Sequence, residues 1–114
     1  MDIAEINKEY IDVEGALKRV GGNMDLYKRL LGRFSAGDDF ASLSSAIESG
    51  NLEDAARLAH TIKGVTSNLS LTKLAELSLQ LEQHIKNGND PADCLNDLKQ
   101  AFETTNSMIA EITG

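Results

Sequence analysis

The chain reads as an all-α protein, and three observations point that way. Leu, Ala, Glu, Lys and Gln are plentiful while the chain has one proline and no tryptophan, a composition of helix formers with few strand formers. Apolar residues recur at steps of three and four through most of the length. Between those stretches lie Gly, Asn and Asp, the residues that stop and start helices. The pattern predicts an antiparallel up-and-down four-helix bundle with a short additional N-terminal helix or helices. Residues 1–114 are expected to form one domain, large enough for a single core and too short for two.

The first element is carried by Ile6, Tyr10, Val13, Leu17 and Val20, with Asp12 placed to cap a short helix from Val13 and Gly21, Gly22 and Asn23 placed to stop it. From Met24 to Ser49 a longer helical pattern places Leu26, Tyr27, Leu30, Leu31 and Phe34 on one face, then Phe40, Leu43 and Ile47 on another. The two stripes are out of phase on a straight helix. A break is therefore expected near Gly37, with Asp38 capping the second piece. Gly50 and Asn51 punctuate next, with Asn51 as N-cap and Glu53 and Asp54 at the positive end of the helix dipole. That helix is expected to end near Asn68 to Ser70. A further helix runs to about Asn87 on a stripe of Leu74, Ala75, Leu77, Ser78, Leu81 and Ile85, and Gly88 ends it. In NDPAD, Asp90 is placed to cap, Pro91 to take the first helical position and Asp93 to complement the dipole. Leu95, Leu98, Phe102, Thr105, Ile109 and Ile112 then carry the last helix.

A net charge of −7 with no visible basic patch argues against nucleic acid or an anionic membrane as partner. The lone Cys94 cannot close an internal disulfide, and there is no secretory or membrane-spanning apolar run. A cytoplasmic setting is expected. Four mutually satisfied stripes favour a monomer.

Residues 58–69, LAHTIKGVTSNL, carry the chemistry. On a helix at about 100° per residue, Ala55, Leu58, Ala59, Ile62, Val65 and Leu69 share an inward arc. Glu53, Arg57, His60, Gly64, Ser67 and Asn68 fall opposite, so His60 is expected to face solvent. Mid-helix glycine is worse than alanine by about 0.5–1 kcal/mol. Gly64 lies one turn from His60, where a larger side chain is expected to crowd the ring and block another protein's backbone. Lys63 can swing a cation toward a charge on the ring. Arg57 either adds to that positive spot or pairs with Glu53. Asn68 is open between docking contact and helix-end residue. A free imidazole titrates near 6.5, so it is mostly neutral at pH 7 and usable as a nucleophile. Phosphoryl transfer asks chiefly for positioning and charge stabilisation, which a partner can supply.

The stretch AHTIKGVTSNL resembles the phosphorylation motif of histidine-containing phosphotransfer (HPt) domains, AH-x-[LI]-KG followed by a small residue, asparagine and leucine. IDVEGALKRVGGNMDLYKRLLGRF, IESGNLEDAARLAH and LAELSLQLEQHIKNG resemble the family's other portions in the same order. The resemblance implies a four-helix core and a phosphoacceptor at His60, modified on the ring nitrogen farther from the backbone. It implies a lysine attending the phosphoryl group at Lys63 and a glycine leaving access at Gly64. It also implies response-regulator receiver domains as partners, with a hybrid sensor histidine kinase as a further candidate. The chain itself would need no cofactor, because Mg²⁺ and the catalytic acids belong to the receiver. Ser67 and Ser70 stand where many relatives have glycine. Ser67 bears on docking, while Ser70 changes the turn and is placed to cap the next helix.

Three other readings compete with this one. A helical protein-binding module would dock a partner without accepting phosphate. A histidine-kinase dimerisation segment would want an acid after the histidine and a proline downstream, where this chain has Thr61 and none nearby. A hydrolase would want a nucleophile, an orienting acid and a closed pocket. His84 lacks a matching glycine and lysine and reads as structural. Asp38 and Asp39 read as capping residues, and nothing suggests a metal site.

Overall fold

Asp12 starts the first helix as expected: its Oδ1 accepts from the Gly15 amide at 3.1 Å, and α1 runs Val13–Arg19. The computed structural model describes residues 7–35 and 38–114. The expectations for Ile6 and Gly37 lie outside them. Five further helices follow, α2 (Met24–Ser35), α3 (Asp39–Glu48), α4 (Leu52–Asn68), α5 (Thr72–Lys86) and α6 (Ala92–Thr113). No strand occurs among the described residues, so the protein is all-α.

The out-of-phase stripes do mark a division, since α2 and α3 are separate helices. Asp38 occupies the N-cap of α3 but makes no side-chain capping bond, contrary to expectation. Asn51 caps α4, with its Oδ1 3.4 Å from the Asp54 amide. At the last start the boundary falls one residue later than expected, with Pro91 at the N-cap; Asp90 Oδ1 still accepts from Ala92 N at 3.0 Å.

The helices form a bundle in which α3 packs on α4, α4 on α5, α5 on α6 and α6 on α2. The core between them holds Tyr27 and Leu31 of α2, Leu43 of α3, Ala55, Ala59 and Ile62 of α4, Leu74 and Leu81 of α5, and Leu98 and Ile109 of α6. Each buried aliphatic side chain of this size contributes about 1.5–3 kcal/mol. One expected core residue is misplaced: Val65 is 38% exposed, and Thr66 is fully buried in its stead. The inward arc of α4 is rotated toward Thr66, whose hydroxyl is satisfied by donating to the helix's own carbonyls, with Ile62 O 2.7 Å away.

The α4–α5 turn is held from several sides. Tyr27 Oη donates to Leu69 O at 2.7 Å, and the Asp12 amide donates to Ser70 O at 2.9 Å. Burial, with the charge of Asp12 adding to it, pushes the Tyr27 phenol up to about 12. Ser70 itself adopts φ 57°, the left-handed conformation that favours glycine. It therefore shapes the turn with its backbone, while the N-cap of α5 is Leu71 rather than Ser70. Thr72 Oγ1 lies 2.7 Å from Glu9 O and Lys73 Nζ 3.1 Å from Glu9 Oε1, so residues 8–12 lie against this turn.

Candidate functional site

His60 lies in the middle of α4 with its side chain 67% exposed, on the face the periodicity assigned to it. The ring is nevertheless not loose. Its Nδ1 stands 3.3 Å from Oε1 and 3.2 Å from Oε2 of Glu82 on α5. Glu82 is buried, with only 7% of its side chain exposed, and its Oε2 also receives Lys86 Nζ at 2.9 Å. Burial alone would raise the Glu82 pKa. The hydrogen bonds from Lys86 and His60, helped by charge, outweigh it and hold the carboxyl below its ordinary value.

An ionised carboxylate can only accept hydrogen bonds, so the nitrogen facing it must carry the proton. Glu82 therefore fixes the Nδ1–H tautomer of neutral His60 and leaves Nε2 with a free lone pair, on the side of the ring away from the acid. An exposed imidazole with one nitrogen anchored and the other bare is a positioned nucleophile.

The neighbours sort as follows. Gly64 is exposed, has ordinary helical backbone, and an added Cβ would meet nothing within 4 Å. A single added methyl would therefore not crowd the imidazole, and no contact within the fold requires this glycine. Lys63 is half-buried and forms no ion pair with a described residue. Arg57 pairs with Asp54 at 3.2 Å, one turn earlier, instead of with Glu53. It still lines an open groove of about 600 Å³ beside His60, with Leu52, Ala56, Glu82, Ile85 and Lys86. Ser67 is half-buried and Asn68 exposed. Arg19, from α1, donates to the Ser67 carbonyl at 2.6 Å. Asn68 lines a second groove, of about 420 Å³, between α4 and the aromatic set Phe34, Phe40 and Phe102. Phe40 and Phe102 stack there at 4.8 Å.

Sequence reasoning missed Glu82. The signal was available: position 82 continues the inward row of Ser78 and Ile85 on α5, where an acid is out of place unless something pairs with it. His84 is half-buried, with Asn89 Nδ2 3.5 Å from its Nδ1. Cys94 is half-buried, and burial followed by the charges of Asp97 and Asp93 raises its thiol pKa. Among the described residues no cluster of His, Cys, Asp and Glu could hold a metal ion, and no helix is long and apolar enough to cross a membrane.

The helical bundle thus displays one anchored imidazole on an open face. The chain belongs to the Hpt domain family, whose model matches residues 33–110, a span that contains His60, Lys63, Gly64 and Glu82. Membership places it among the phosphocarrier modules of phosphorelay signalling, whose partners are receiver domains and kinases. No curated protein and no solved structure matches the sequence.

Proposed function

We propose that this protein, as a single domain over residues 1–114, is a phosphorelay intermediate. It accepts a phosphoryl group on His60 from the aspartyl phosphate of one receiver domain and passes it to the aspartate of another. The observation that carries this reading is the contact of His60 Nδ1 with the buried Glu82, which leaves Nε2 bare and outward.

In the forward step the Nε2 lone pair attacks phosphorus and the bond from phosphorus to the receiver's aspartate oxygen breaks, releasing a carboxylate. Nδ1 keeps its proton, so the phosphorylated ring is cationic, and the Glu82 carboxylate stabilises that charge. The cationic ring is also a good leaving group, which makes the onward step a reversal of the first. Lys63, close in sequence and free of an ion pair among the described residues, can turn toward the phosphoryl oxygens. Arg57, tied to Asp54, borders the approach. Gly64 leaves the ring's outer side open to the receiver's backbone, and Ser67 and Asn68 extend the contact face. The chain supplies no cofactor; Mg²⁺ and the remaining acids come with the receiver. It acts as a cytoplasmic monomer and carrier, not as an enzyme on its own.

Incubation with a panel of phosphorylated receiver domains should label the protein, and His60→Gln should abolish the label. A protein that stays unlabelled across the panel overturns the reading. The alternative, a helical module that docks a partner without accepting phosphate, predicts that His60→Gln changes neither binding nor signalling. It leaves unexplained why an acid is buried behind an exposed ring.

A further inference from the structure

The criterion that singles out Gly64 also singles out a second glycine. Gly32 lies inside α2, is exposed, has no positive φ, and an added Cβ would meet nothing within 4 Å. As at position 64, the fold gives no reason to tolerate the helix-weakening residue. Its helical neighbours one turn earlier are Lys28 and Arg29, and Arg33 follows it.

Charge is distributed unevenly around it. Residues 13–35 carry Lys18, Arg19, Lys28, Arg29 and Arg33 against Glu14 and Asp25, a net charge of +3 in a chain of −7. Among the described residues, Lys8, Arg57, Lys73 and Lys86 are held in ion pairs, whereas none of the five cations of α1 and α2 is. One of those five reaches the His60 helix, and a second borders a groove that this helix shares with Asp39. Arg19 bonds to the Ser67 carbonyl, and Arg33 lines the same groove as Val65 and Asn68. Ser67 lies two turns beyond His60, about 10 Å along the axis, a distance comparable to the screening length in physiological salt.

We propose that Arg29, Gly32 and Arg33, continued by Arg19, form a selectivity patch beside the phosphoryl site. It fits receiver domains that present an acidic surface flanking their phosphorylation pocket. This rests on the carrier reading above, which brings a carboxylate-bearing protein face to His60. An acidic flank on that face meets the only net-positive helices among the described residues, while a neutral or basic flank gains nothing there. Unpaired surface cations of this kind act mainly on the association rate. Gly32 lets the partner's backbone approach between the arginines.

The test compares phosphotransfer to His60 from two sets of phosphorylated receivers, those with acidic and those with neutral flanks, at low and high salt. With acidic-flanked receivers, the pair Arg29→Glu and Arg33→Glu should slow the second-order rate at low salt by about tenfold or more. It should leave the extent of labelling intact. A single charge reversal on α6, Lys99→Glu, should leave the rate nearly unchanged, and Arg33→Glu alone, matched to it in charge, should still slow transfer. Gly32→Gln should raise the melting temperature yet slow transfer from the same receivers, a combination no purely structural role produces. Rates that respond equally for both receiver sets, or no more than to Lys99→Glu, overturn the patch while leaving the carrier reading standing. Self-association in sedimentation that the arginine reversals abolish assigns the patch to a second copy of this chain and also overturns it. Absence of label on His60 with every receiver sinks both.

Discussion

The chain's two histidines sit on adjacent helices of one bundle and differ in what holds them. His60 on α4 is largely exposed, and its Nδ1 faces an acid buried behind it. His84 on α5 is half-buried, with its Nδ1 toward the amide nitrogen of Asn89 in the following loop. His60 thus faces a buried charge, while His84 faces only a neutral amide. Of the two, only His60 has a neighbouring glycine and a lysine without a carboxylate partner among the described residues. Exposure is the smaller part of the contrast; the partner behind the ring decides which nitrogen is free to react.

The sharpest way to break this comparison is to remove each ring in turn. His60→Gln should eliminate phosphoryl labelling, while His84→Gln should retain it in full; label lost with His84 would reverse the assignment. Next in size is Gly64→Gln, which puts a long side chain one turn from the ring. Displacing the docked partner by about 1 Å can cost on the order of 10²-fold in transfer rate. Thermal stability should hold or rise, because the fold leaves that Cβ free space. A transfer rate unchanged by Gly64→Gln would remove the docking argument for this residue.

Glu82→Gln keeps shape and a hydrogen-bond acceptor but deletes the charge. A charge-assisted bond lost near the ring corresponds to about tenfold in transfer rate, with label still reaching His60. The same substitution has a pH signature. Because the folded Glu82 pKa lies below its ordinary value of 4.5, its ionised form stabilises the fold above that pH, and the contribution fades as pH falls through the lower folded value. The groups facing it are His60 and Lys86. The stability of the native chain, measured by denaturant unfolding under circular dichroism, should therefore fall as pH drops below 4.5, and Glu82→Gln should flatten that part of the profile. An identical acid profile would show that the carboxylate is not anchored there.

The smallest effect is expected away from both rings. Ser70→Gly relieves a left-handed serine and should stabilise the fold by about 1 kcal/mol, read as a raised melting temperature. The turn's backbone bonds need no side chain, so transfer from a given receiver should stay within a few-fold of the native rate, about the effect of a sub-kcal/mol change.

Much of this was legible in the sequence, for local reasons. Capping chemistry placed the starts at Asp12 and Asn51, and helical periodicity put His60, Gly64 and Asn68 on one outward face. The failures are those of information that is not local. The bond between His60 and Glu82 depends on the register of α4 against α5, which neither helix's pattern contains. Val65 and Thr66 exchanged roles because a buried threonine can satisfy its hydroxyl on the helix behind it, a choice that hydrophobicity alone does not favour. Ser70 as a residue type does not mark a positive φ, and the hint lay in the glycine that many relatives carry at its place. Arg57 had two acids within one turn, and Asp54 took it.

The most direct test of the central claim is nitrogen-15 and phosphorus-31 NMR of the histidine side chains before and after transfer from a receiver. Resting neutral His60 should carry its proton on Nδ1, and phosphorus should afterwards couple to Nε2 of His60 and to no nitrogen of His84. Phosphorus on Nδ1 of His60, or on either nitrogen of His84, would contradict it.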